Sequence, residues 1–120
     1  MSFQRGEVYW ADLEPIRGGE IGVKVRPCVI VSINDVNRNT KLVIIVPGTS
    51  NTEAKGSPNV VIVPPSTQNG LKMDTAFLCH QTRSIDKLRL QGAAIGRLLR
   101  QDFEMIERAL AYCTGLMQPR

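Results

Sequence analysis

Apolar residues in this chain come in short runs closed off by glycine, proline and asparagine, and only the C-terminal stretch switches to a helical period. Glu7–Asp12 alternates and is rich in strand formers, which predicts a half-buried strand. Pro27–Ser32 and Leu42–Pro47 are unbroken apolar runs, the pattern of strands covered on both faces. The polar segment Asn34–Thr40 between them reads as a connection, and Gly48–Pro58 as a second loop. Asn59–Val63 is a further strand ended by Pro64 and Pro65, followed by a turn over Ser66–Gly70. Thr75–Gln81 is β-like, Ser84–Arg89 is suited to a short helical turn, and Ala93–Leu98 gives a last strand. Beyond it Phe103, Ile106, Leu110, Cys113 and Leu116 recur at helical spacing, with Glu104, Glu107 and Arg108 between them. Gly115 and Pro119 mark the end of that helix. Five or six short strands with no long helices between them argue against a parallel sheet with crossover helices. The expected architecture is mainly β: a small antiparallel barrel plugged by one C-terminal amphipathic helix.

At 120 residues, 42% hydrophobic and 22% charged, the chain fits a single globular domain over 1–120. No apolar run reaches the ~18 residues needed to cross a bilayer. The N-terminal residues lack the apolar stretch and cleavage site of a secretion signal. Cys28, Cys79 and Cys113 are odd in number and far apart, which suits buried free thiols rather than disulfides or a zinc site. The expected location is the cytoplasm. A net charge of +4, with arginine twice as common as lysine, favours a polyanionic partner, because the guanidinium fork matches phosphate.

Several chemistries are excluded by what is missing. There is no Gly-x-x-x-x-Gly-Lys phosphate loop and no Gly-x-Ser-x-Gly elbow. The glycines of Arg17–Gly22 precede a strand rather than a helix, so they are no dinucleotide fingerprint. The acidic residues are scattered, so no cofactor and no metal are expected. A lone histidine, His80, rules out a two-histidine acid–base pair within one chain. What remains is a set of polar residues at the ends of apolar strands. Arg26 precedes Pro27 at the mouth of one strand, and Thr49 follows the run ending at Pro47-Gly48. Glu20 lies in the glycine-rich loop, and Gln81, Arg83 and Ser84 follow another strand. Strand ends of a small barrel can converge on one rim. Attack of a ribose 2′-hydroxyl on the adjacent phosphorus needs no metal, and a guanidinium stabilises the charge that builds there. In that reading Arg26 clamps the phosphate, Thr49 hydrogen-bonds it and Glu20 accepts a proton. The same residues also suit an ordinary surface charge and an ordinary turn.

At these positions the sequence resembles the MazF/PemK family of toxin endoribonucleases. The likeness runs through Arg5-Gly-Glu-Val-Tyr-Trp-Ala-Asp-Leu-Glu-Pro15, Gly18-Gly-Glu20, Arg26-Pro-Cys-Val-Ile-Val-Ser32, Val46-Pro-Gly-Thr49 and Asp74-Thr-Ala-Phe-Leu-Cys-His-Gln-Thr-Arg-Ser-Ile-Asp86. Ile95-Gly-Arg-Leu98 and the C-terminal helix complete it, in the family's order. The resemblance implies an SH3-like barrel shared with gyrase-poison toxins, a homodimer, and metal-free cutting of single-stranded messenger RNA to 2′,3′-cyclic phosphate and 5′-hydroxyl ends. It places the catalytic arginine and threonine on Arg26 and Thr49, and matches Glu20 to an acidic residue implicated in some members. It implies an RNA groove that includes Gln81, Arg83 and Ser84. Arg17, Lys24, Ser50, Lys55 and Lys87 complete the expected RNA-binding set. His80 stands where relatives often carry an acidic residue. The implied protein partner is an antitoxin with a disordered acidic segment. A gyrase poison on the same barrel and a non-cutting RNA binder are the alternatives.

Overall fold

The computed structural model describes residues 2–13 and 25–117. Seven strands and two helices follow in chain order: β1 (Glu7–Asp12), β2 (Val25–Ile30), α1 (Asn34–Asn39), β3 (Leu42–Thr49), β4 (Val60–Val63), β5 (Thr75–Leu78), β6 (Arg83–Asp86), β7 (Leu90–Arg97) and α2 (Arg100–Cys113). All pairings are antiparallel, in the order β4-β5-β3-β2-β1-β7, with β6 also on β3. The strand β3 organises the sheet. One edge carries β2, and the other carries β6 against Leu42–Ile45 and β5 against Gly48 and Thr49.

Because side chains alternate along a strand, each of the central strands supplies two faces. Tyr9 and Ala11 of β1, Cys28 and Ile30 of β2, Val43 and Ile45 of β3 and Ile85 of β6 form one buried cluster, with Leu90 and Ala94 of β7 against it. Five strands thus turn one face inward, and β6 connects to β7 by a single 3-10 turn, Lys87–Arg89. This is the small barrel expected. The opposite face carries Val8, Val29 and Val46, which join Val61, Val63 and Phe77 of the β4–β5 hairpin and Ile106 and Ala109 of α2 in a second core.

That arrangement corrects five expectations. The helix does not plug the barrel; α2 covers its outer face, and its apolar stripe packs on the second core. β1 is not half-buried, since Val8, Tyr9 and Ala11 are all buried by the two cores together. Seven strands form rather than five or six, because Arg83–Asp86 is a strand and the helical turn starts only at Lys87. The Asn34–Thr40 connection winds into α1, where Asn37 is buried and its amide donates to the Ser32 carbonyl (3.0 Å) and the Asn34 side chain (3.3 Å). The strand β3 also runs past Pro47 through Thr49, two residues into the expected loop. Gly48 allows this: a Cβ there would meet Thr75 Cγ2 at 2.7 Å and Phe77 Cε1 at 3.1 Å. Among the described residues no helix is long and apolar enough to cross a membrane.

Candidate active site

The first residues of β2 and the last of β3 lie at the same end of the sheet, since Cys28 pairs with Pro47 in an antiparallel register. Arg26 and Thr49 are each two residues further toward that end and share the barrel-facing side of their strands. Their side chains meet there. Arg26 Nη1 donates to Thr49 Oγ1 at 3.1 Å. The Asn51 backbone N–H donates to the same oxygen at 3.2 Å. With two hydrogen bonds accepted, the Thr49 hydroxyl keeps its own proton to give to a ligand.

Among the described residues Arg26 is held by its surroundings rather than by a counter-charge. No acidic group pairs with it among the described residues, and its Nε is buried without a hydrogen-bond partner there. Burial pulls its pKa below the ordinary arginine value, with the nearby Cys28 acting in the opposite direction. A cation destabilised by desolvation, with no carboxylate on it among the described residues, gains from an incoming anion. Cys28 sits beneath it, fully buried, its thiol pushed up to about 12 by burial against the counteracting charges of Arg83 and Arg26. Arg83, on β6 opposite Ile45, is close enough to Cys28 for its charge to act on the same thiol.

The other expected residues are distributed more widely. Ser50 is exposed immediately after Thr49, on the edge of a cleft that Arg26 shares. Lys55 is exposed in the following turn. Gln81 lies in a 3-10 turn, Cys79–Gln81, where a β-like segment was expected, and Ser84 points to the outer side of β6. Lys87 does not join the clamp: its backbone N–H bonds to the Lys41 carbonyl, at the opposite end of β3 from Thr49, and its ammonium is 6.0 Å from the Phe3 ring centroid. Arg17, Glu20 and Lys24 lie outside the described residues. His80 is exposed in the 3-10 turn, its Nδ1 2.6 Å from Asn59 Nδ2. Sequence reasoning missed Cys28 as the support of the clamp, and it missed Trp10, Lys72 and Met73, which line the cleft next to Arg26. A single tryptophan in a basic chain was the available signal for the cleft.

The family model for PemK-like, MazF-like toxins of type II toxin–antitoxin systems matches residues 4–113. The chain belongs to the PemK/MazF toxin family. It is 32% identical to Endoribonuclease EndoA of Bacillus subtilis over 108 residues, covering 90% of this chain and 88% of the relative. It is 35% identical to Endoribonuclease MazF of Staphylococcus saprophyticus over 88 residues, 73% of this chain and 72% of that one. Among solved structures, a mycobacterial endoribonuclease in complex with its cognate antitoxin superposes with a TM-score of 0.72 at 29% identity, covering 98% of both chains. MazF of Deinococcus radiodurans, at 24% identity, shares the fold with a TM-score of 0.79 over 96% of this chain and 98% of that one. The Arg26–Thr49 pair thus sits in a PemK/MazF domain spanning nearly the whole sequence.

Proposed function

We propose that this PemK/MazF toxin cuts single-stranded messenger RNA without a metal, by attack of a ribose 2′-hydroxyl on the adjacent phosphorus. Endoribonuclease activity comes from the family, through relatives named for it. The chemistry is inferred from one observation, the 3.1 Å contact between Arg26 and Thr49 at the barrel mouth. The transition state is a five-coordinate phosphorus whose equatorial oxygens gain negative charge. Arg26 meets that charge with a partly desolvated cation, and the free proton of the Thr49 hydroxyl bonds one of the same oxygens. The 2′-oxygen forms its bond to phosphorus as its proton leaves for a base. The 5′-oxygen departs with a proton, giving a 2′,3′-cyclic phosphate and a 5′-hydroxyl. Glu20 is the proposed base, on the sequence reading alone.

Two partners belong to this reading: a second copy of the chain and an antitoxin with an acidic segment. The first is supported by large apolar side chains left on the far side and end of α2, Met105, Leu116 and Met117. The second is supported by the net charge of +4 and by the antitoxin complex of the mycobacterial relative. The test is purified protein with single-stranded RNA in EDTA. Discrete products ending in cyclic phosphate are expected, and Arg26→Ala should lower the rate about 10²- to 10³-fold while the fold persists. Activity that vanishes with EDTA and returns with magnesium would remove the metal-free mechanism.

A further inference from the structure

Next to the clamp, on the outer side of the same strand ends, opens a cleft of about 590 Å³. Its apolar wall includes Trp10, Pro27, Leu71, Met73 and Ile95, while Arg26 and Lys72 bring two cations to it. No Asp or Glu lines it among the described residues. Trp10 owes its position to strand alternation. Tyr9 and Ala11 turn into the barrel, so Val8 and Trp10 turn out; Val8 is covered by the second core, but Trp10 lies beyond it and stays 43% exposed. Met73 is 57% exposed beside it. The opposite wall is held close by Gly70, where a Cβ would lie 2.0 Å from the Ile95 carbonyl oxygen, so backbone packs directly on β7.

We infer that this cleft seats a nucleobase of the RNA, stacked on Trp10, in a nucleotide adjoining the phosphate held by Arg26 and Thr49. The inference rests on the nuclease reading and names a base-binding subsite for it. An apolar, aromatic cleft whose charged groups among the described residues are cations matches a ligand with a flat apolar body and an anionic link, which is a nucleotide. Continuity decides the placement: Arg26 belongs to both the clamp and the cleft, so a strand whose phosphate lies on Arg26 has a neighbouring base within reach of Trp10. Trp10 is a specificity residue here, binding substrate without taking part in the proton transfers.

Trp10 is the only tryptophan in the chain, so its fluorescence reports on this cleft alone. The probe is a mixed-sequence single-stranded DNA dodecamer, which lacks the 2′-hydroxyl and is not cut. The control is an abasic deoxyribose-phosphate oligomer of the same length. The dodecamer should quench the fluorescence saturably and the abasic oligomer should not. Trp10→Ala should weaken binding of a dye-labelled dodecamer roughly 5- to 150-fold and raise KM for RNA, with Trp10→Phe restoring most of both. Should Trp10→Ala fail to fold, the two oligomers on the unaltered protein still decide the matter. Equal quenching by the abasic oligomer, or wild-type binding by a folded Trp10→Ala, overturns the assignment. So does a saturable response to an acidic peptide bearing leucine with none to the dodecamer, which would give the cleft to a protein partner. Quenching does not depend on cutting, so a protein that responds to the dodecamer yet leaves RNA intact sinks the nuclease reading and leaves the base site standing.

Discussion

At the scale of single residues, the clamp depends on burial more than on charge pairing. The apolar strand ends around Arg26 desolvate its guanidinium, and no carboxylate among the described residues pairs with it, which favours an anionic ligand. The chain could show that Arg26 and Thr49 each end an apolar run, but not that their separation across 23 residues closes to a hydrogen bond. That distance is set by the β2–β3 register, which no local pattern encodes. The same burial governs the thiols and Tyr9. Cys28 and Cys79 are pushed from an ordinary 9.0 to about 12, and Tyr9 from 10.0 to about 12, chiefly by desolvation. The folded state therefore keeps protons that the unfolded chain releases, so this contribution is complete below about pH 9 and is lost as pH rises toward 12. Thermal unfolding scans should show Tm falling steadily across that alkaline window, and a flat Tm would contradict it. With a thiol reagent at pH 8, no more than one of the three cysteines should react quickly in the native protein, since only Cys113 is partly exposed. Rapid reaction of two would mean that Cys28 or Cys79 is less enclosed than its burial indicates.

At the scale of elements, the apolar runs identified β2, β3 and β4 because their central stretches, covered on both faces, carry no polar residue to blur the pattern. β1 was placed correctly but its burial was not, because Tyr9 and Val8 serve different cores and alternation alone cannot say that both faces are covered. α1 and β6 escaped notice for a different reason. Each is very short, and their residues, polar in α1 and mixed in β6, are ordered by partners distant in sequence: Arg5 on the Asn34 side chain, and β3 along β6. The element that matters most for the site is the last turn of β3. Gly48 lets β5 and Pro27 close on the strand just before Thr49. Gly48→Ala should force that contact apart, costing about 1–3 kcal/mol in urea unfolding, as overpacking does, and displacing Thr49. The predicted signature is a loss of kcat at temperatures where the variant is still folded. A stable variant with full kcat would show that the close approach plays no part in placing the hydroxyl.

Across the whole molecule, two cores share one sheet, and the active end is where the strands outrun both. On β2 the barrel core stops at Cys28, and Arg26 stands just beyond it, level with the buried Ala11 of β1. The helix α2 lies outside the barrel, on the outer core, and so does not fill that end. The helix also carries apolar side chains that its own chain leaves uncovered, and sedimentation at micromolar concentration should give a dimer, with a monomer contradicting the proposed assembly. The account as a whole depends on Arg26 and Thr49 acting on the same phosphate. The most direct test is a double-mutant cycle on kcat/KM for RNA cleavage, using Arg26→Ala, Thr49→Val and both together. If the two groups act as a unit, the double variant should lose little more than the worse single one, because either deletion already disables the shared contact. Losses that multiply as if independent, or a Thr49→Val enzyme with full activity, would contradict it.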